Sequence, residues 1–538
     1  MLIRRLLATN DNTLCQTWIA FAALAAVVGL TPTANGQVFD PGPSDPSLFD
    51  LVINLPPASN FGNFASIGGI EGETTQLNLL DGGSLGFSFD ADSGAEVNVF
   101  GGNVREDFSA LDNSEVNISG GQFAGGFDAR SGSLVNISGG DVGDSLRAHD
   151  GSRVNVSGGS IGVGFWALGG SDVNITAGSI GFSMSTYPGS SVTISGGTIA
   201  NGFDVRTDSV VRISGGMIGS DFTTASGSEV ELAGGEFKLN GVAYVAPQVS
   251  LRFGDVFTGT LADGSAFIFS WYSGDRLARV ALTEATLPQR ETLPRIVATD
   301  VSNEPAGVRE NESLTVIPGG ILGDNFAAVD ATLNIDGGIV GNGLETTRSI
   351  INISDGTVGS GFYALPGSII NLSGGTIGEE FEAYASSEIN VSGGMIEDSF
   401  TAFADSRVNI SGGTIGDSFL LTSGGEVQIS GGVIGNAFAA FGGSVVGIAG
   451  KEFAIDGVGL NDLTPDDPFV VDDRDVTLSG LLADGTPFAF DLNRSFALDQ
   501  DHFHPAALLT LTLVPEPATG TLVLAGVCAS LSPRRRRD

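Results

Sequence analysis

Ser114-Glu115-Val116-Asn117-Ile118-Ser119-Gly120-Gly121-Gln122-Phe123-Ala124-Gly125-Gly126-Phe127-Asp128-Ala129-Arg130-Ser131-Gly132 is the stretch that decides the fold. Counted from Ser119, its apolar residues fall at −3 (Val116), −1 (Ile118), +4 (Phe123), +8 (Phe127) and +10 (Ala129). Val116-Asn117-Ile118 and Phe127-Asp128-Ala129 each alternate in, out, in, as a half-buried strand must. Gly-Gly pairs and small polar residues separate these runs and supply the positive φ angles of tight bends. No window spaces apolar residues at 3.6, and glycine recurs every few positions, which argues against helix.

The Ser-Gly-Gly element of this stretch recurs, with substitutions, at Phe100, Ser119, Ser138, Ser157, Thr176, Ser195, Ser214 and Ala233, each 19 residues after the last. A second series runs Asp336, Ser354, Ser373, Ser392, Ser411, Ser430 and Ala449, spaced by 19 after one step of 18. Looser copies, Leu77 to Gly83 and Leu314 to Gly320, open the two arrays, making nine coils and then eight. Three short strands per 19 residues suit one coil of a parallel β-helix, with successive coils about 4.8 Å apart. The predicted fold class is therefore all-β, as two tandem parallel β-solenoids. Right-handed winding is expected, because the repeat is not a strict hexapeptide.

The +8 position forms a ladder through both arrays: Phe89, Phe108, Phe127, Leu146, Phe165, Met184, Phe203 and Phe222, then Phe326, Leu344, Phe362, Phe381, Phe400, Phe419 and Phe438. It reads as core. Sugar platforms favour Trp and Tyr, which pair an apolar face with a polar tip, and the chain has 34 Phe against 5 Tyr and 3 Trp.

Open solenoid ends would pair with neighbours unless capped. Gly235 to Gly241 parallels Lys451 to Gly457, and beyond them Leu261-Ala262-Asp263-Gly264 and Leu482-Ala483-Asp484-Gly485 lie between alternating apolar runs, a hairpin signal. The expected division is a signal peptide (1–36), a lead-in (37–76), a first solenoid (77–242) with its cap (243–286), and a linker (287–313). A second solenoid (314–459), its cap (460–513) and a terminal segment (514–538) follow.

Eighty glycines without a collagen period, and only 16% charged residues, fit a turn-dense repeat. The formal charge is −38; residues 1–36 and 516–538 contribute +1 and +2, leaving −41 on the body. A surface that negative repels nucleic acid and anionic lipid. Both cysteines, Cys15 and Cys528, are terminal, so the body has no disulfide and no thiol chemistry.

Both ends carry addresses. Arg4 and Arg5 precede the apolar run Trp18 to Leu30, and Ala34-Asn35-Gly36 fits a small-x-small cleavage site. At the other end, Val514-Pro515-Glu516-Pro517 is followed by the apolar stretch Ala518 to Leu531 and by Arg534-Arg535-Arg536-Arg537, a short stop-transfer pattern. These parts, in this order, resemble the PEP-CTERM sorting signal of Gram-negative-type bacteria. The resemblance covers about 25 of the 538 residues. It implies an exosortase-type processing partner, contact with the membrane only through the terminal segments, and delivery to the outer envelope or matrix. The apolar segment departs from the pattern in being short and broken by Gly520, Gly526 and Ser530.

Four groups of residues invite a chemical reading. Gly143-Asp144-Ser145-Leu146 matches the nucleophile motif of GDSL-type hydrolases, and Asp499 to His502 offers their Asp-x-x-His spacing. The same frame yields Gly416-Asp417-Ser418-Phe419, so the match reads as a product of the repeat. Asn117, Asn136, Asn155, Asn174, Asn352, Asn371, Asn390 and Asn409 each form a glycosylation sequon, and each reads as a rung of an outward amide ladder. His149 is expected to face solvent; His502 and His504, spaced for one strand face, are weak metal candidates with Asp501 or Asp499. Asp466, Asp467, Asp472, Asp473 and Asp475 form an acidic loop with no counterpart in the first array. Calcium is the ion such a loop would favour, as would turn acids such as Asp221, Asp324, Glu379, Glu380 and Asp417. The spacing fits no calcium motif, so no cofactor and no catalytic residue is expected.

The near-uniform repeat points to an exported structural or adhesive protein of the envelope or matrix, without catalysis, in contact with polysaccharide. A polysaccharide lyase or hydrolase is the alternative, by analogy of fold alone. It would need paired carboxylates or a basic residue, from a set that includes Arg130, Arg147, Arg153, Arg206 and Arg212. A calcium-dependent adhesin is the third reading.

Overall fold

Val116, Asn117 and Ile118 pair in parallel with Val135, Asn136 and Ile137 of the next unit, and those pair with Val154, Asn155 and Val156. Asp128-Ala129 pairs likewise with Arg147-Ala148. In the computed structural model, which describes residues 51–68, 74–289, 294–301, 307–465, 467–497 and 499–514, this pattern builds two β-solenoids. The first holds a 17-stranded and a 10-stranded sheet, the second a 17-stranded and an 8-stranded one. All regular elements among the described residues are strands, and none of these residues forms a helix long and apolar enough to cross a membrane.

In most coils one long strand, such as Leu134–Asp144, runs through the Ser-Gly-Gly bend, where its pairing shifts register. The two glycines of the bend serve different needs. A Cβ on Gly139 would lie 2.4 Å from the carbonyl oxygen of Ser119 in the preceding coil, whereas Gly140 sits at φ +81°. Ala177 replaces the first glycine in its coil, yet Gly178 after it keeps φ +90°. The backbone angle is the stricter requirement.

Inside, every residue of the +8 ladder is buried. Phe400, Phe419 and Phe438 stack with ring centroids 4.7 and 4.9 Å apart, the spacing of the coils themselves. A second row went unread in the sequence. Ser114, Ser133, Ser152, Ser171 and Ser190 are buried, and each hydroxyl donates to the carbonyl three residues earlier, at 2.6 to 2.7 Å.

The stacks begin earlier than the repeat search indicates. Leu51–Leu55 pairs in parallel with Thr75–Leu79, so the lead-in carries a coil of its own. Arg295–Val297, within the expected linker, pairs with Leu314, Thr315 and Val316. Neither strand alternates apolar and polar residues cleanly, as Leu51-Val52-Ile53 and Ile296-Val297 show, and both lack the Gly-Gly marker that reveals the repeat.

At the far end of the first stack, Val256–Leu261 and Ala266–Ser270 form the expected antiparallel hairpin, and Val280–Glu284 then closes the parallel sheet against Glu229–Leu239. Thr477–Leu482, Pro487–Asp491 and Leu508–Leu513 repeat this arrangement in the second. The hairpin acids lock the caps down: Asp263 accepts the Gly216 N–H at 2.7 Å, and Asp484 accepts that of Gly432 at 2.9 Å.

The two solenoids are joined by a packed interface. The first cap hairpin lies on the flank of the second solenoid, with Val256, Ala266 and Ile268 against Ala327, Val329, Leu365 and Tyr384. Beside this contact Lys238 pairs with Asp330 at 2.9 Å, and Arg348 holds the same carboxylate at 2.6 Å.

Candidate functional site

Most of the motifs with a chemical reading turn out to hold the coils together. Ser145 occupies a coil corner at φ +67° and donates its N–H to Val163, while Asp144 accepts the Val163 N–H at 2.7 Å. Ser418 and Asp417 do the same for Asn436. His502 pairs beside Ala439 in the second solenoid, so the GDSL-like pieces lie on different solenoids. The turn acid Asp324 likewise caps the N–H of Asn342, at 2.7 Å.

Seven of the eight sequon asparagines form amide ladders, and Asn174 stands in register beside Asn155. Asn136 donates to Asn117 and Asn155 to Asn136, both at 2.9 Å, and the ladder reaches back through Asn98 and Asn78 to Asn54. Asn352, Asn371, Asn390 and Asn409 form a separate ladder in the second array, starting from Asn334, at 2.9 to 3.1 Å.

The histidines and the acidic loop depart in part from the expectations. His149 faces outward as expected but is only partly exposed, its Nε2 sitting 3.0 Å from the Asp128 carboxylate of the preceding coil. His502 is buried against Phe441 and Phe496, and burial lowers its pKa. Asp501 accepts the N–H groups of Phe438 and Asp491. In the acidic loop Asp466 lies outside the described residues, Asp467 meets Thr464 through backbone, and Asp475 pairs with Arg494 at 2.7 Å. Asp472 and Asp473 flank Arg474, a residue that the sequence reading passed over. Its side chain is buried and donates to the carbonyls of Val471, Asp473, Phe503 and Ala507 at 2.8 to 2.9 Å. Among the described residues no three His, Cys, Asp or Glu side chains are arranged to hold a metal ion. Ala34, Gly36, Pro515, Glu516, Pro517 and Arg534 to Arg537 lie outside the described residues; Val514 is described, and its N–H donates to Gly450 at 2.8 Å.

One surface gathers groups that the coils do not need. On the 10-stranded sheet, the outward residues Asp128, Arg147, Trp166, Ser185 and Asp204 stand in register, one per coil. Asp128 receives three basic groups: Arg130 at 2.8 Å, His149 at 3.0 Å and Arg147 at 3.4 Å. The Arg147 guanidinium lies 5.1 Å from the centre of the Trp166 ring, and Arg206 lies 4.1 Å from that of Tyr187. Arg206 also pairs with Asp204, which accepts the Thr223 hydroxyl at 2.9 Å. Below this group burial raises the Asp90 pKa from its ordinary value, outweighing its bond from Ser109.

The result is a short row of planar groups made of two stacked pairs in neighbouring columns, Arg147 with Trp166 and Arg206 with Tyr187, flanked by carboxylates and hydroxyls. Such a row stacks on the apolar face of a sugar ring and hydrogen-bonds its edge. It is poorly equipped for acid–base work: Arg130 and Arg147 meet at a single shared carboxylate rather than at a pair. Arg153 and Arg212 pair elsewhere, with Asp172 and Glu231. The row was hard to read in the sequence because Trp166 and Tyr187 each occur in one coil only.

No protein-family model matches the chain, and no curated protein is similar to it. Among solved structures, a hyper-glycosylated TibA fragment produced by TibC catalysis aligns at 11% identity over 72% of this chain and 95% of that one. The TM-score of that alignment is 0.19, and it carries no argument about fold or function.

Proposed function

We propose that this chain is an exported structural protein of the bacterial envelope or matrix, and that it adheres to polysaccharide through the Trp166 flank without cleaving it. The observation that carries the reading is the row Arg147, Trp166, Tyr187 and Arg206 on a regular stack. A stack of coils positions such groups at a fixed interval, which suits a polymer of repeating sugars.

In this reading the signal peptide is cleaved after Gly36, in the Ala34-Asn35-Gly36 site, and an exosortase-type enzyme processes Val514-Pro515-Glu516-Pro517. Arg534 to Arg537 hold the unprocessed chain at the inner membrane. Leu508–Leu513 is the closing strand of the second solenoid, so processing just beyond it leaves both solenoids whole. Calcium-dependent adhesion is a variant of the same reading, decided by whether binding needs the ion.

The test is equilibrium binding of the full chain to neutral and acidic polysaccharides, with and without calcium. Trp166→Ala removes one stacking ring, worth about 0.5–1.5 kcal/mol, and is expected to weaken binding several-fold with strand content unchanged. Binding that ignores Trp166→Ala removes the flank from the account.

A further inference from the structure

The flank that is open on the first solenoid is covered on the second. There the outward residues in register are Ala327, Glu345, Tyr363 and Glu382, and the first cap packs on them. This joint encloses acids. Asp275, from the cap, is 0% exposed, and Glu345, from the solenoid, is 8% exposed. Asp275 is well served, accepting the N–H groups of Phe222 and Ser270 at 2.7 Å each.

Glu345 is not. Its Oε1 has no hydrogen-bond partner, and Ser273 is the side chain within hydrogen-bond reach of its carboxyl. The Ser273 hydroxyl already donates its one proton to the Ser270 carbonyl, at 3.2 Å. Shared in this way, the hydroxyl favours the Glu345 carboxylate only weakly, and burial outweighs it. The charged groups that act on Glu345 are acids, Asp221 and Asp275 from the cap side. On the neighbouring coils stand Tyr363, Glu382 and Tyr384, with the Tyr384 hydroxyl bonded to the Tyr272 carbonyl across the joint at 2.7 Å. A buried carboxylate among acids, with one oxygen unserved and a single shared hydroxyl as its donor, is an arrangement that burial penalises.

We propose that the joint between the two solenoids is a proton-operated latch, closed while Glu345 carries a proton and released as it ionises. The sign follows from linkage. Burial pushes Glu345 from 4.5 up to about 8 in the closed joint. Its contribution is therefore fully present below pH 4.5 and lost as the pH rises through about 8, the closing constant falling up to tenfold per unit between. Asp275 and Glu382 are also raised by burial and add in the same direction. Asp330 works the other way. Burial opposes its charge, but the bonds from Arg348 and Lys238 hold its pKa below 3.8, so its contribution is lost only as the pH falls through that lowered value. The latch is tightest in mildly acidic solution.

Small-angle X-ray scattering of the full chain between pH 5 and 9.5 tests this, beside Glu345→Gln, which keeps the shape and cannot ionise. The wild type is expected to lengthen as the pH rises, with its circular dichroism unchanged, while Glu345→Gln keeps its pH 5 dimensions throughout. Glu345→Ala, which removes the acid without supplying an amide, is expected to behave like Glu345→Gln. Glu382→Gln, which leaves Glu345 ionisable, still opens. A wild type of constant dimensions, or Glu345 variants that open over the same pH range, would overturn the proposal.

Discussion

Gly140 and Gly139 stand side by side in one bend, and different forces hold them. The φ of +81° at Gly140 costs an L-residue about 1–2 kcal/mol, and an added Cβ would also lie 2.8 Å from the Gly120 carbonyl oxygen. Gly140→Ala should therefore lower the unfolding free energy by at least that increment, measured by urea denaturation followed by circular dichroism. Gly139→Ala is expected to cost less, since Ala177 already occupies the same place in another coil. Both glycines were legible in the sequence as bend residues. Their separate reasons were not, because one reason lies in the residue's own angle and the other in the carbonyl of the coil beneath. The buried serine row was hidden for a similar reason. A polar residue at a fixed interval reads as surface until the carbonyl it serves is known.

At the scale of the element, the caps explain how a stack of identical edges comes to an end. The hairpins were readable from their matched Leu-Ala-Asp-Gly turns, and Asp263 and Asp484 do equivalent work in both copies. The acidic insertion of the second cap was read by its carboxylates, whereas its organising residue is a cation. Arg474 satisfies carbonyls from the loop and from the run leading into the closing strand, including Val471 and Ala507. Burial lowers its pKa, with Asp472 and Asp473 opposing that shift. Arg474→Ala strands several buried acceptors, each worth about 1–3 kcal/mol. Hydrogen exchange should show Leu508–Leu513 losing protection ahead of the first solenoid. Arg474→Lys should restore only part of it, since an ammonium lacks the planar fork. Equal loss of protection in both solenoids would mean that Arg474 does not act locally.

For the molecule as a whole, the repeat made the fold class legible because hydrophobic period, bend chemistry and spacing agree in every coil. It could not reveal how the two stacks meet, since the residues of the joint, Val256, Ile268, Val329 and Tyr384, come from segments distant in sequence. The candidate site was the least legible part. Trp166 and Tyr187 depart from the repeat one coil at a time, and stacking sets each beside an arginine of an adjoining coil, Arg147 and Arg206. The proposed function rests on this flank binding a polymer that the body leaves uncut. The most direct measurement is to incubate the full chain with a panel of neutral and acidic polysaccharides while following retention, new reducing ends and unsaturated products together. Retention without either product is the predicted result; new ends or unsaturated sugars at a rate set by the protein would contradict the account and mark the Asp128 cluster as a catalytic centre.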